Sequence, residues 1–299
     1  CFYQHLLYMI YDDETINEIQ LYKGKYYDKK RSKSNGRVIA FDLDETLGSF
    51  TDLEILWSAL QHFTKKYSPI DFNTLLDLYP EFLRYGIIHI IEFLVQKKKT
   101  GQCKQIFIYT NNKCNHNWVD LISTYFNYKL NTNTPIFDKI IRAFRIGNKR
   151  IEPHRTSTSK TFPDFIKCTL LPVKTEICFI DNCEYKDMKS DRVYYIQPYS
   201  YTHHLSTQEI IKRFVNSDVY NKLTRLDDPS KLHGFIADYF LTRNHITNGN
   251  PRIQDLKRDI TVAQKIMYHL KEFFYLTTKR KRTQKNRLNI GHTTRKNLR

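Results

Sequence analysis

Short apolar runs that stop at polar or charged residues recur along this chain. Val38 to Phe41 is bounded by Arg37 and Asp42, and Ile106 to Tyr109 runs into Thr110, Asn111 and Asn112. Ile177 to Ile180 follows Glu176 and stops at Asp181 and Asn182. Unbroken apolar runs of this length are expected for strands buried on both faces of a parallel sheet. Lys139 to Phe144 gives a further strand candidate, and Val193 to Gln197, ended by Pro198, gives another. Between these runs the spacing turns helical. Ile55, Leu56, Trp57, Leu60 and Phe63 fall at helical spacing, and Leu75, Leu76 and Leu78 follow. Phe82 to Val95 predicts an amphipathic helix, with Lys97, Lys98 and Lys99 at its C-terminal end and Gly101 as its stop. Trp118 to Phe126 and Thr161 to Cys168 predict two more.

Strands separated by helices indicate βαβ units and an α/β fold around a mostly parallel sheet. Beyond residue 200 only helical patterns remain. A capping box, Ser206 to Glu209, opens one of them. Leu232 to Leu241 and Leu256 to Leu276 follow, with Gly249-Asn250-Pro251 as a break. The expected organisation is an N-terminal hairpin or linker over 1–36, an α/β domain over 37–200 with a helical insertion at 48–84, a helical region over 201–276 and a basic tail over 277–299.

Composition narrows this picture. A hydrophobic content of 40% and an aromatic content of 14% over 299 residues suit a folded chain with a sizeable core. The formal net charge of +17 favours anionic partners such as phosphorylated protein or nucleic acid. Nine Lys and Arg and no acid fall within 277–299, a candidate nuclear import signal or nucleic-acid contact, or a solvated tail without a dedicated partner. The six cysteines form no C-x-x-C pair, which points to a reducing, intracellular compartment, cytoplasmic or nuclear. No apolar run approaches the roughly 20 residues of a membrane span, so no membrane partner is expected. The first ten residues are interrupted by Gln4 and His5 and lack the pattern of a signal peptide.

Ligands of open α/β sheets sit beyond the carboxyl ends of the strands. Asp42 and Asp44 are therefore delivered to that edge. Paired carboxylates there can bind a hard cation such as Mg²⁺, and one of them can take a phosphoryl group as a nucleophile. Asp-x-Asp after a strand also serves as a turn or helix cap. Thr110 and the N–H groups that follow it, at Asn111, can hold a phosphate oxygen or cap a helix. Lys160 stands at the start of a predicted helix, where an ammonium opposes the dipole unless it meets an anion. Asp181 ends the third run.

An acid pair, a hydroxyl, a lysine and an acid, in that order, resemble the haloacid dehalogenase superfamily of phosphohydrolases over residues 37–200. Lys149 and Lys167 are alternatives to Lys160 in this match. Asp-Leu-Asp-Glu-Thr-Leu at 42–47 and Ile-Asp-Asn at 180–182 look like the branch of NLI-interacting-factor-like protein phosphatases. That branch includes RNA polymerase II C-terminal-domain phosphatases. The arrangement is also similar to uncharacterised members from large DNA viruses. The 48–84 stretch is longer than the flap of that branch.

The resemblance implies a Rossmannoid sheet and a Mg²⁺-dependent phosphatase. Asp42 would be nucleophile and metal ligand. Asp44 would be general acid and base, touching the metal through its carbonyl. Thr110, Asn111 and Lys160 would bind phosphate, and Asp181 would complete the metal site. Thr46 would order the turn after Asp44, and Asn182 would be a neutral water or metal-shell contact. The expected substrate is a phospho-Ser/Thr protein. The alternatives are a nucleic-acid end or nucleotide, or a binding protein without turnover.

Overall fold

A computed structural model describes residues 18–28, 36–63, 70–114, 117–223, 229–243 and 256–274. The basic stretch 277–299 and the Gly249-Asn250-Pro251 break lie outside the described residues. In chain order the strands are β1 (Ile19–Lys23), β2 (Arg37–Phe41), β3 (Gln105–Tyr109), β4 (Lys139–Ile141), β5 (Arg145–Ile146), β6 (Lys149–Arg150), β7 (Glu176–Ile180) and β8 (Val193–Pro198). Six of them form one sheet in the order β1-β8-β7-β2-β3-β4, and β5 and β6 form a separate hairpin. Only β1 runs antiparallel within the large sheet. The protein is thus α/β with a mostly parallel sheet flanked by helices, an arrangement compatible with a Rossmannoid fold.

After their first residues, Arg37, Gln105 and Glu176, the central strands are apolar because both of their faces are covered. Ile39 and Phe41 join Ile106, Ile108, Cys178 and Ile180 in one core. Val38 and Ala40 join Phe107, Tyr109, Ile177 and Phe179 in the other. Each buried Ile or Phe contributes about 2 kcal/mol. Residues of the helices Thr51–Phe63, Phe72–Leu76, Ile87–Lys99, Trp118–Lys129 and Thr207–Val215 fill the first core, and Phe165 and Cys168 of the helix Phe162–Thr169 fill the second. The later helices are part of the first core as well. Leu232, Ile236 and Phe240 of Pro229–Thr242 enter it, as do Val262, Ile266, Leu270 and Phe273 of the helix at 256–274. Among the described residues no helix is long and apolar enough to cross a membrane.

Three expectations are corrected. The segment 1–36 is not wholly hairpin or linker. Ile19–Lys23 is an edge strand paired with β8, and Lys23 is held from outside the sheet by Glu272 at 2.6 Å. The helix expected from Phe82 begins at Ile87, because Pro80–Phe82 is a 3₁₀ turn and Gly86 takes φ 73, a left-handed conformation that favours glycine. The strand expected over 139–144 ends at Ile141, and the chain turns away into β5.

Connectivity positions the site. From β2 the chain steps to β3 and β4 on one side, then crosses to lay β7 and β8 on the other. Strand order therefore reverses between β2 and β7, and the carboxyl ends of these two neighbours open a crevice.

Candidate active site

The two acids at that crevice are joined by one cation. Asp42 follows β2, with its N–H on the Ile180 carbonyl at 2.8 Å, and Asp181 follows β7, with its N–H on the Ile196 carbonyl at 3.2 Å. The Lys160 ammonium donates to Asp42 Oδ1 and, at 2.6 Å, to Asp181 Oδ2. The rings of Tyr109 and Tyr185 flank it at 5.8 and 5.2 Å. Lys160 is 1% exposed and Asp181 0%. Burial pulls the ammonium toward neutrality, but the two carboxylates more than offset it and hold Lys160 charged. Burial pushes Asp181 up; Lys160 opposes this and Asp42 adds to it. The unfavourable place of Lys160 before a helix is thereby explained. The helix itself is capped by Thr161, whose hydroxyl accepts from Asp164 N–H at 3.1 Å. Lys149 lies exposed on β6 and Lys167 exposed on the helix, so Lys160 alone of the three joins the acids.

The two oxygens of Asp42 differ. Oδ1 is held by Lys160, whereas Oδ2 accepts no hydrogen bond among the described residues, and the side chain retains some exposure. Asp44 is half-buried, and Asn112 Nδ2 donates to its Oδ1 and Oδ2 at 3.2 and 2.9 Å. Burial pushes its carboxyl up to about 6; the Asn112 bond opposes the shift and the Asp42 charge reinforces it. The two acids thus present an ionisable oxygen and, two residues on, a group that can carry a proton near neutrality.

Loops after β2 and β7 are clasped together. Thr46 Oγ1 donates to Asn182 Oδ1 at 2.9 Å and accepts from Asn182 N–H at 3.1 Å. Asn182 Nδ2 reaches Glu45 Oε2 at 3.2 Å and Ser200 Oγ at 3.1 Å. Asn182 is therefore engaged in holding loops, beside the metal-shell contact expected of it. Buried Arg84 donates to the carbonyls of Thr46 at 2.6 Å, Tyr199 at 2.9 Å and Glu45, whose φ is 57.

After β3, the Thr110 hydroxyl accepts from Asn112 N–H at 2.9 Å, which leaves its own proton to donate. Thr110 is fully buried. The Asn111 side chain accepts from Arg155 at 2.7 Å and donates to Tyr185 at 3.0 Å, so a phosphate contact there would fall to its main chain. Arg155 is itself fully buried, over the Tyr109 ring at 4.9 Å, and donates to the carbonyls of Thr110, Arg142 and Thr158 at 2.9 Å each. It ties the turn after β3 to the segment that delivers Lys160.

Asn112, Arg155, Arg84 and Tyr185 were not singled out by the sequence pattern. Asn112 had a signal, a second amide after Thr110. The arginines had none beyond their place among basic or apolar neighbours.

Among the described residues no group of three or more His, Cys, Asp or Glu side chains is arranged to hold a metal ion. Asp42 and Asp181 do supply two carboxylates that meet at one point. A cavity of about 320 Å³ lies away from these acids, between Trp57, Ile70, Phe72 and Leu121.

The chain matches no protein-family model, no curated protein and no solved structure.

Proposed function

We propose that this protein is a phosphomonoesterase of the haloacid dehalogenase type, acting through an aspartyl-phosphate on phospho-Ser/Thr protein. The observation that carries the reading is the Asp42–Lys160–Asp181 bridge, with Asp42 Oδ2 unbonded among the described residues and Asp44 next to it. Asp42 Oδ2 attacks phosphorus, and the bond to the leaving oxygen breaks as Asp44 gives that oxygen its proton. Asp44, now a carboxylate, takes a proton from water. The water oxygen attacks phosphorus, the acyl-phosphate P–O bond breaks, and Asp42 and inorganic phosphate are released. Lys160 and the Thr110 hydroxyl offset charge on the phosphoryl oxygens during transfer.

Mg²⁺ fits the donor set. It takes oxygen ligands, keeps several waters and needs few carboxylates. Asp42, Asp181 and the Asp44 carbonyl would hold it, and it would supply positive charge beside the transferring group.

The test is phosphate release from p-nitrophenyl phosphate and from phosphoserine peptides with and without Mg²⁺. Activity is expected in wild type and its loss in Asp42→Asn. Turnover that survives Asp42→Asn would overturn the proposal.

A further inference from the structure

The stretch 139–160 carries seven Lys and Arg against one acid, Glu152, which is buried. Four of the seven lie outside the β5–β6 hairpin and are engaged there. Lys139 donates to the Cys168 carbonyl at 2.6 Å, and Arg142 pairs with Asp120 at 2.6 Å. Arg155 and Lys160 are buried at the site. The remaining three, Arg145, Lys149 and Arg150, sit exposed on the β5–β6 hairpin and have no carboxylate partner among the described residues.

This hairpin is fixed to the site. Arg150 donates to the carbonyls of Pro153, at 2.7 Å, and Arg155, at 2.6 Å, and Arg155 in turn holds Thr110 and Asn111. Ile151 N–H closes on the Phe144 carbonyl at 3.0 Å. The guanidinium groups of Arg145 and Arg150, paired across the two strands, both lie over the Phe144 ring, at 5.0 and 5.2 Å from its centre. The cations are therefore oriented by an aromatic support on an anchored element.

We infer that the β5–β6 hairpin is a second anion-binding surface beside the catalytic edge, taking an acidic or phosphorylated residue that neighbours the phospho-residue in a protein substrate. This rests on the phosphatase reading and adds the substrate's charge pattern to it. Exposed guanidinium and ammonium groups without counter-ions complement carboxylate and phosphate. Single-stranded nucleic acid is the less suited ligand, because its proteins offer open aromatic faces for base stacking, and Phe144 is already covered by two guanidinium groups.

The experiment compares p-nitrophenyl phosphate, a peptide with one phosphoserine, and the same peptide with a second phosphoserine three residues away. Each is assayed with wild type and with Arg145→Ser/Lys149→Ser in the full chain, by turnover and by fluorescence anisotropy of the labelled peptides. In wild type the doubly phosphorylated peptide should bind more tightly. In the variant its KM and Kd should rise roughly three- to tenfold, the sum of two exposed ion pairs, with kcat and p-nitrophenyl phosphate turnover unchanged. Equal binding of the two peptides to wild type, or a difference that survives in the variant, overturns the inference while p-nitrophenyl phosphate turnover still supports the phosphatase. Absence of all turnover sinks the phosphatase reading, and the anisotropy arm then decides the hairpin alone. Tighter binding of a 3′-phosphorylated oligonucleotide of equal charge through the same two residues would reject a protein substrate.

Discussion

Replacing Lys160 with Met tests the centre of the site through stability, without assuming any reaction. The ammonium is 1% exposed and bonded to two carboxylates, so its removal leaves two buried like charges side by side. Breaking a buried ion pair by deleting one partner costs about 3–5 kcal/mol, and burial leaves little solvent screening to reduce that. In a chain of this size the loss lowers Tm by roughly 5–15 °C. The sign with pH follows from the acids. Burial already pushes Asp181 up, and without Lys160 the Cys183 N–H, at 2.8 Å from Asp181 Oδ1, is left to oppose it. Protonation relieves the repulsion, so the deficit of the variant is smallest in acid and grows as pH rises through neutrality. Circular-dichroism melts of wild type and Lys160→Met between pH 5 and pH 8 measure this. Adding Asp181→Asn to Lys160→Met should recover part of the loss, because one of the two unpaired charges is gone. A Lys160→Met protein that melts within about 2 °C of wild type at every pH would refute the buried bridge.

Other outcomes follow from the same geometry. With its carboxyl held up to about 6, Asp44 is protonated below that pH and ionised above it. Turnover of phosphoserine peptides, whose leaving oxygen needs a proton, should fall as pH rises past about 6, while p-nitrophenyl phosphate, a good leaving group, should show a flatter profile. Asn112→Ala removes the bond that opposes the shift, so the falling limb should move to higher pH; an unmoved limb would separate Asn112 from the proton donor. Asn182→Ala should lower stability by about 1–2 kcal/mol in urea titration, since Thr46 and Glu45 lose their partner across the loops. His204 Nδ1 lies 3.3 Å from Asp52 Oδ2, and that hydrogen bond holds the imidazole pKa above its usual 6.5. Its contribution should be complete below pH 6.5 and fade as pH rises through the raised value, so His204→Gln should flatten the Tm profile across that window.

The central strands were legible because burial on both faces keeps four successive positions apolar, with the polar residues Arg37, Gln105 and Glu176 confined to the strand starts. The same rule marked Asp42, Thr110 and Asp181 as strand-end residues. The edge strand Ile19–Lys23 was not legible. It is half-exposed, and its pairing is imposed by β8, far away in the chain. Lys160 was favoured by its place before a helix, with Lys149 and Lys167 as alternatives, and the choice turns on where the turn before Phe162 meets the sheet. Arg84 and Arg155 show the general limit most clearly. Arginine is an expected surface residue, yet both are buried by donating to main-chain carbonyls: Glu45, Thr46 and Tyr199 for Arg84, Thr110, Arg142 and Thr158 for Arg155. Carbonyls that turn out of a sheet at an open edge need donors there, and a guanidinium can serve several at once. The candidate acids are marked by strand endings, whereas the cations that shape their loops answer to backbone geometry that exists only after folding.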